Sequence, residues 1–217
     1  MDDTKPIGRR TFLAVVTAGL SSLVWGDPVW RAVRSALGPL EIAGVPGAQG
    51  GWRIFTVNPP MPVFRRARWR LRIEGLVDNP MSLTYEDLLA LPSARQTSDF
   101  HCVTGWSVYD VRWRGVRFAD LLAAARLRPE AGALSFYSAE KPYVDSLTID
   151  QAMQPDAMLA YAMDGRPLKR EHGAPARVVM PRMYGYKNVK WVDRIVVTRT
   201  QLDGYWEERG YDRDAWV

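Results

Sequence analysis

Residues 99–107 read "DFHCVTGWS" and contain the single cysteine of this 217-residue chain, Cys102, directly after His101. Buried free cysteines usually behave as small apolar side chains. Cys102 could instead be a nucleophile activated by a histidine, or a thiolate ligand of a metal. Adjacent side chains on an extended strand point to opposite faces, so His101 is badly placed to deprotonate Cys102, and His172 could approach only through the fold. One cysteine cannot hold a metal alone, so the metal-ligand alternative requires an organic cofactor.

The segment 171–191, "EHGAPARVVMPRMYGYKNVKW", concentrates glycine, arginine and lysine in a short span. Glycine lets a backbone approach a ligand closely, and Arg and Lys form charge-assisted hydrogen bonds with phosphate oxygens. His172, Asn188 and backbone N–H groups could add directional hydrogen bonds to a heterocycle. Taken alone, the same span is equally typical of a surface hairpin with solvated charges.

Composition limits the classes of protein to which the chain can belong. A hydrophobic content of 47% with 24% charged residues is typical of a globular protein that can bury a core. The net charge of +5 suits an anionic cofactor, a substrate, a membrane surface or nucleic acid. The absence of any long Lys/Arg run, zinc-finger motif or RNA-recognition motif argues against nucleic acid. A single cysteine excludes an internal disulfide and a Cys-rich zinc or iron–sulfur site.

Residues 1–26 predict an export signal. Arg9-Arg10 followed by Thr11-Phe12-Leu13 is similar to the twin-arginine motif, and the apolar stretch that follows is shorter than the ~20 residues of a membrane span. We therefore expect export by a twin-arginine-type route to the periplasm or the extracytoplasmic face of the membrane. No Ala-x-Ala cleavage site follows, which leaves open whether the segment is removed or kept as a membrane anchor; a basic amphipathic helix is the alternative. Residues 27–51, rich in Gly, Pro and Ala, predict a linker.

Short helices scattered among strands, without a regular βαβ rhythm, predict an α+β fold for residues 52–205. Residues 206–217 predict a C-terminal tail that either packs on the domain or docks a partner. Strands are expected near residues 69–73, 133–138, 158–163, 177–180 and 189–198. Helices are expected at 88–91 after a cap at Thr84, at 117–127, and after the capping box Thr148–Gln151.

Five blocks of sequence, each weakly specific, occur in an order and spacing that carry a family resemblance. They are Asn58–Pro62, Leu71–Val77 with Leu83–Leu91, Cys102–Ser107 with Trp113–Val116, His172–Arg177, and Tyr184–Trp191. From about Phe55 to about Thr200, nearly the whole expected mature chain, the sequence resembles the catalytic domain of the sulfite-oxidase-type molybdopterin enzymes. The likeness is strongest to the compact bacterial members, the group that includes the periplasmic methionine-sulfoxide reductase catalytic subunits.

The resemblance implies a strand-rich, mixed molybdopterin-binding domain and assigns roles to individual residues. Cys102 takes the position of the cysteine that ligates molybdenum beside the dithiolene of a single pyranopterin (Mo-molybdopterin). The side chains that could meet the cofactor's phosphate are Arg177, Lys187 and Lys190. The implied cofactor contacts are Asn58, Cys102, Ser138, His172, Arg177, Asn188, Val189 and Lys190.

Trp106 and Tyr109 are, beside Cys102, the predicted catalytic side chains. Sulfite oxidases carry an arginine shortly after the ligating cysteine, whereas this chain has Trp106-Ser107 in that stretch. The difference argues against sulfite as the substrate. We expect Trp106 and Tyr109 to line an entrance for a less charged sulfoxide or N-oxide, and packing in the core is the alternative.

The implied activity is two-electron redox chemistry with oxygen-atom transfer at molybdenum on a small-molecule substrate. No haem-binding domain is visible in the sequence, so a membrane haem-b subunit or a cytochrome is the expected electron partner. Two rival functions stay open on the sequence alone. One is an exported Cys/His acyl-transfer enzyme that uses Cys102 and His172, and the other is a cofactor-free binding module with the same fold.

Overall fold

Ten β-strands and three short α-helices occur in residues 51–217, the part of the chain that the computed structural model describes. The predicted export signal and the linker up to residue 50 lie outside the described residues. The strands are β1 (Leu71–Gly75), β2 (Met81–Leu83), β3 (Ala94–Cys102), β4 (Trp106–Arg117), β5 (Ala133–Ser138), β6 (Val144–Thr148), β7 (Met158–Met163), β8 (Arg166–Pro167), β9 (Arg177–Val179) and β10 (Val192–Thr198). The helices are α1 (Tyr85–Ala90), α2 (Phe118–Ala125) and α3 (Ile149–Ala152), with 3₁₀ turns at Arg170–His172, Gly185–Lys187 and Glu207–Arg209. Within 51–217, no helix has the length and apolar character needed to cross a membrane.

The first sheet has the strand order β2-β1-β10-β5-β6. Strands β1 and β10 run parallel, whereas the other neighbours are antiparallel. Leu71 and Ile73 of β1 are at most 1% exposed, because alternate residues of the strand face the core. Leu121 of α2 and Ile195 of β10 are buried in the same cluster. This sheet and α2 therefore supply the main hydrophobic core.

The second sheet is built on the long hairpin β3–β4, to which β7, β8 and β9 are added. Cys102 ends β3 and pairs with Trp106 at the start of β4. Gly105, in the turn between them, has φ of 85°, a left-handed conformation that favours glycine. One face of β4 buries Trp106, Val108 and Trp113 in a second hydrophobic cluster. The hairpin therefore holds Cys102 at its tip, at the edge of that cluster.

The α+β fold class is confirmed, and several elements match the sequence-based expectations. Thr84 and Thr148 each form a capping box, at the start of α1 and of α3. Strands β5 and β7 occupy the predicted ranges. These matches rest on local signals, namely side-chain caps and short apolar runs, which do not depend on distant parts of the chain.

Two elements are shorter than the sequence predicts, and in both a residue takes a left-handed conformation. The helix expected over 117–127 stops before Arg126, whose φ is 55°. The strand expected from Val189 begins only at Val192, directly after Trp191 with φ of 53°. Strands β2, β3, β4, β6 and β8 lie outside the ranges in which the sequence patterns predict strands.

A buried cluster of three charged side chains fixes the C-terminal segment to the domain. Lys187 Nζ lies 2.6 Å from Asp145 Oδ1 and 2.5 Å from Glu207 Oε1, and all three side chains are at most 3% exposed. Burial, opposed by Lys187 and reinforced by Glu207, raises the pKa of Asp145 to about 7. The cluster thus joins β6, the turn at 185–187 and the C-terminal segment.

Aromatic contacts reinforce this attachment of the C-terminal segment. Tyr205 stacks on Tyr143 with 5.5 Å between ring centroids, and Tyr211 packs edge-on against Tyr186 at 5.3 Å. Aromatic pairs at such distances each add about 0.5–1.5 kcal/mol beyond the burial of their surface. The predicted tail, residues 206–217, therefore packs on the domain.

We expect Lys187→Met to lower the free energy of unfolding by about 3–5 kcal/mol, because it leaves two buried carboxylates without their ammonium partner. Arg128→Met is the matched control: it removes an exposed ion pair with Asp78 and should cost at most about 1 kcal/mol. Chemical denaturation of the wild type and both variants measures the difference. Equally small losses in the two variants would contradict the role of the cluster.

Asp145→Asn should change how stability depends on pH. The pKa of Asp145 is raised on folding from its ordinary value of 3.8 to about 7, so folding favours the protonated carboxyl. The stability that follows is fully present below about pH 4 and is lost as the pH rises to about 7. Between about pH 4 and pH 7 the free energy of unfolding of the wild type should fall relative to that of the variant. The variant keeps the Lys187–Glu207 ion pair, whose net charge is zero. A constant difference from pH 4 to pH 7 would rule this protonation out.

Candidate active site

A cavity of about 200 Å³ lies beside the tip of the β3–β4 hairpin. Its wall combines the hairpin tip, residues 52–57, parts of the segment 171–191, and the C-terminal segment through Trp206 and Tyr211. About half of the side chains of the wall are aromatic or aliphatic. The charged and polar groups among the others decide what the cavity can bind.

Cys102 is a partly exposed residue of the cavity wall. Its Sγ lies 3.1 Å from Thr104 Oγ1. The neighbouring His101 is engaged elsewhere, because its Nδ1 lies 2.8 Å from Ser107 Oγ. His101 is thus not the base for this thiol, as the alternation of side chains along a strand predicts.

His172 shares the cavity with Cys102, but the two form no hydrogen bond with each other. His172 Nδ1 is buried and has no hydrogen-bond partner in residues 51–217. Burial first, and then the nearby Arg177, lower the pKa of His172, so the imidazole is neutral at pH 7. A cysteine nucleophile needs a base within hydrogen-bonding distance. The geometry therefore does not favour the acyl-transfer alternative.

Arg177 brings a buried positive charge to the cavity. The residue is 3% exposed, and its guanidinium lies 5.2–5.9 Å from the ring centroids of Trp52, Phe100 and Trp113. Its hydrogen bonds go to backbone carbonyls at 3.4 Å, and no carboxylate of the described chain is within ion-pair distance. Burial lowers the pKa of Arg177 to about 10. An unpaired buried charge is costly, so this position fits an anionic ligand.

Lys190 is a second cation of the cavity wall. Its Nζ donates to the carbonyl oxygens of Phe55 at 2.6 Å and Glu171 at 3.5 Å. Burial and then Arg177 lower the pKa of Lys190 to about 8, and Glu140 acts in the opposite direction. At neutral pH the ammonium group is still mainly protonated. Its hydrogen bonds to uncharged carbonyls leave its charge available to a bound anion.

Ser138 and Glu140 connect the first sheet with the cavity wall. Ser138 Oγ donates to Lys190 O at 2.8 Å and accepts a hydrogen bond from Glu140 N at 3.0 Å. Glu140 Oε1 accepts hydrogen bonds from Thr56 Oγ1 and, at 3.1 Å, from Val57 N. Through these hydrogen bonds Glu140 fixes the first residues of the described chain at the cavity wall.

Trp106 is packed in the core and also lines the cavity. It is 4% exposed, and its ring stacks on that of Phe55 with 6.4 Å between centroids. Its Nε1 is buried and lacks a hydrogen-bond partner in residues 51–217. Trp52 lies 4.9 Å from both Phe100 and His172, ring centroid to ring centroid. Residues 52–57 therefore form an aromatic cover on this side of the cavity.

The structure brings seven of the ten predicted site residues to the cavity wall. They are Cys102, Trp106, Ser138, His172, Arg177, Asn188 and Lys190. Of the other three, Val189 is buried in the main core, and Asn58 is exposed and donates to Lys141 O at 2.8 Å. Tyr109 is 41% exposed, because it follows the buried Val108 and so faces outward from β4.

Asn188 lies at the cavity wall, but its side-chain amide forms hydrogen bonds with backbone groups of the protein. Oδ1 accepts a hydrogen bond from Met180 N at 2.7 Å. Nδ2 lies 3.3–3.4 Å from the carbonyl oxygens of Met180, Met183 and Tyr184. The amide therefore shapes the loop before it, and its backbone carbonyl is a partner of Arg177.

Lys187 does not reach the cavity wall, and the expectation that it meets a phosphate is wrong. Its ammonium group is buried between Asp145 and Glu207, on a different side of the loop from Lys190. Two lysines three residues apart in one motif thus have different roles. One balances carboxylates from distant parts of the chain, and the other lines the cavity.

Sequence analysis missed several residues of the wall. Glu140 and Tyr143 follow β5, and nothing in their local sequence marks them. Trp206 and Tyr211 belong to the segment that the sequence predicts as a tail. The aromatic density of residues 205–211 was the available signal, because aromatic side chains seldom cluster in a solvated tail.

The donor set fits a pterin-type cofactor that carries a phosphate. A neutral His172 with an unpartnered nitrogen suits a heterocycle edge, and Arg177 with Lys190 suits an anion. Residues 51–217 contain no group of three or more His, Cys, Asp or Glu side chains placed to hold a metal. A metal bound by Cys102 would therefore take its other donors from a non-protein ligand.

Comparison with known proteins leads to the same class. The family described as "Oxidoreductase molybdopterin binding domain" matches residues 58–206. The oxidoreductase YuiH of Bacillus subtilis (strain 168) is 41% identical over 151 residues, which cover 69% of this chain and 76% of YuiH. The protein-methionine-sulfoxide reductase catalytic subunit MsrP of Campylobacter jejuni is 32% identical over 160 residues, covering 66% of this chain and 54% of MsrP.

A solved structure shares both the fold and part of the sequence. The sulfane dehydrogenase SoxCD of Paracoccus pantotrophus superposes with a TM-score of 0.63 at 29% identity, covering 67% of this chain and 42% of that one. The chain thus spans three quarters of YuiH but only about half of MsrP and of the SoxCD chain. The matched residues 58–206 include every predicted site residue of the cavity wall. The chain belongs to the sulfite-oxidase-type family of molybdopterin-binding oxidoreductases.

Proposed function

We propose that this oxidoreductase reduces a sulfoxide or an N-oxide by oxygen-atom transfer, at molybdenum held by Cys102 and a single pyranopterin. The observation that carries the proposal is that the Cys102 thiol and the buried, unpaired Arg177 share one cavity. A thiolate is a suitable donor for such a metal, and a buried guanidinium is a suitable partner for a phosphate. When bound, the cofactor supplies the two-electron redox chemistry.

The residues of the wall divide the work of holding the cofactor. Arg177 and Lys190 bind the phosphate through charge-assisted hydrogen bonds. The neutral imidazole of His172 donates or accepts one hydrogen bond at the pterin edge. Ser138 positions Lys190 through its carbonyl. The family resemblance also implies that Asn58, Asn188 and Val189 contact the cofactor. Asn188 and Val189 would do so through their backbone.

An uncharged substrate is supported by the residues around Cys102. The stretch after Cys102 carries Trp106-Ser107 in place of a cation, and the nearby rim exposes Phe55 (57%) and Val103 (42%). The relative MsrP is named for reducing methionine sulfoxide in proteins. Tyr109 faces away from the cavity, so the entrance role proposed here falls to Trp106. Oxidation of a sulfur compound is the second candidate, because SoxCD is named a sulfane dehydrogenase.

The proposal includes an export route and an electron partner. Arg9-Arg10 and the residues after them support twin-arginine-type export to the periplasm, with the segment either cleaved or kept as a membrane anchor. MsrP is named a catalytic subunit, which supports a separate subunit for electron supply. We infer that a membrane haem-b subunit or a cytochrome exchanges electrons with this chain.

Wild-type protein from a molybdenum-replete host should contain about one molybdenum per chain, because Cys102 is the one cysteine that the chain can supply as a ligand. It should reduce a sulfoxide with an artificial electron donor and should not oxidise sulfite. Cys102→Ser should lose molybdenum and activity while its circular dichroism spectrum stays that of the wild type. Metal analysis and the two assays measure these outcomes. Full activity in the Ser variant, or metal-free wild type, would refute the proposal.

Arg177→Met separates ligand binding from a structural role. We expect about 10- to 100-fold weaker retention of the cofactor, because a charge-assisted contact is worth about 1.5–3 kcal/mol. The cofactor-free variant should be as stable as the cofactor-free wild type, or more so, because an unpaired buried charge has been removed. Arg182→Met, from the same segment but exposed and paired with Asp156, is the control and should keep its cofactor. Phosphate and pterin content after dialysis, with melting temperatures, decides between these outcomes.

A further inference from the structure

The second sheet carries a groove lined by arginines, outside the cavity described above. Arg95 on β3, Arg112 and Arg114 on β4 and Arg166 on β8 line it, and all four are exposed. We call it the arginine groove. Arg95 and Arg114 are direct cross-strand partners, which places their Cβ atoms about 5 Å apart. Like charges directly opposite each other destabilise a sheet, so packing alone does not account for them.

The arginine groove lacks the acidic residues that would balance it. Arg112 pairs with Asp164 at 3.5 Å. In the described chain, Arg95, Arg114 and Arg166 have no carboxylate within ion-pair distance, and no Asp or Glu lines the groove. The groove therefore presents uncompensated positive charge to whatever approaches this face of the sheet.

The floor and rim of the groove have the composition of a protein-binding surface. Tyr161 is 4% exposed, its hydroxyl has no hydrogen-bond partner in residues 51–217, and Arg114 lies 5.9 Å from its ring centroid. Leu89 and Pro167 add exposed apolar contacts. Arg and Tyr are enriched at the centres of protein interfaces. Exposed arginines on an open sheet suit an acidic protein better than a small anion, which needs an enclosed pocket.

Trp113 of β4 lies between the groove and the cavity. It lines the groove beside the exposed Arg112 and Arg114, and it is itself 2% exposed because its indole packs in the second hydrophobic cluster. There its ring lies 6.1 Å from that of Trp52 and 5.2 Å from the guanidinium of Arg177, both in the cavity wall. One strand and one indole ring therefore separate the two sites. The tip of the hairpin is ~17 Å along β3 from the groove, so a docked protein would leave it open.

We propose that the arginine groove docks an acidic protein and that this protein is the electron partner of the enzyme. The docking stands on the groove itself, whereas the electron exchange rests on the proposed function. The partner gives up two electrons per turnover, and with two protons from solvent these convert a sulfoxide to a thioether and water. Complementary charge raises the association rate at low salt and makes it fall as salt is added.

The test uses a synthetic peptide of six glutamates as the acidic probe and the cofactor-loaded full chain. Arg95→Glu/Arg114→Glu reverses the charge of the groove. Arg72→Glu/Arg199→Glu changes the net charge equally, at exposed arginines of the first sheet and its end. Calorimetry measures the affinity at low and high salt, and hydrogen exchange locates the peptide. Two other anionic probes, phosphatidylglycerol vesicles and free inorganic pyrophosphate, are tested in parallel with the peptide.

We expect the peptide to protect β3, β4 and β8, and its affinity to fall at least tenfold in the groove variant, about 1.4 kcal/mol, but little in the control. Equal weakening in both variants, or protection elsewhere, would overturn the proposal. So would groove-dependent binding of vesicles or pyrophosphate without binding of the peptide. In turnover, the groove variant should slow electron exchange with an acidic cytochrome but not with a small cationic viologen. An inactive enzyme that still binds the peptide at the groove would refute the proposed function and keep the docking surface.

Discussion

The cavity depends on the buried guanidinium of Arg177, which lies among aromatic rings with no carboxylate of residues 51–217 within ion-pair distance. Such a charge is destabilising in a cofactor-free chain, and an anion that binds it removes the penalty. Any ligand that binds the folded state alone also stabilises that state. The contacts of Arg177 with Trp52 and Trp113 mean that the same ligand supports both the start of the described chain and the second sheet. A cofactor phosphate bound at Arg177, as proposed above, would therefore couple cofactor binding to stability.

The buried acids near Tyr143, which lines the cavity, are engaged by groups other than Arg177. Asp145 and Glu207 are bound to Lys187, and Glu140 accepts hydrogen bonds from the first residues of the described chain. Tyr143 is close enough to these three acids and to Arg177 for their charges to affect its pKa. Burial, Asp145, Glu207 and Glu140 raise its pKa, and Arg177 lowers it. At neutral pH Tyr143 is therefore an uncharged phenol, whose hydroxyl donates to the carbonyl of Tyr186 at 2.6 Å, and it does not neutralise Arg177.

The sequence predicts the chemistry of the site better than its boundaries. Cys102 and His172 are recognisable because each is a rare residue type within a short motif, whereas Arg177, one of many arginines, stands out only through its motif. Lys187 and Lys190 are not distinguishable in this way, since the partners that separate them, Asp145 and Glu207, are 42 and 20 residues from Lys187. The part of the cavity wall that the C-terminal segment forms was not predicted for the same reason, since its partners also lie far away in the sequence. Local patterns identify caps, turns and strands, whereas the choice of partner for a buried charge is made by the fold.

The alternation of side chains along β4 explains why the prediction for Tyr109 failed and why arginines line the groove. Trp106 and Tyr109 are three residues apart, an odd spacing that sends two side chains of one strand to opposite faces unless a bulge intervenes. The sequence therefore contained a reason to expect one of them outside the cavity. The same rule applied to Arg112, Trp113 and Arg114 puts an indole on one face and two cations on the other. Because Trp113 contacts Trp52 and Arg177 of the cavity wall and also borders the arginine groove, this one strand would set the distance between the cavity and the proposed docking surface.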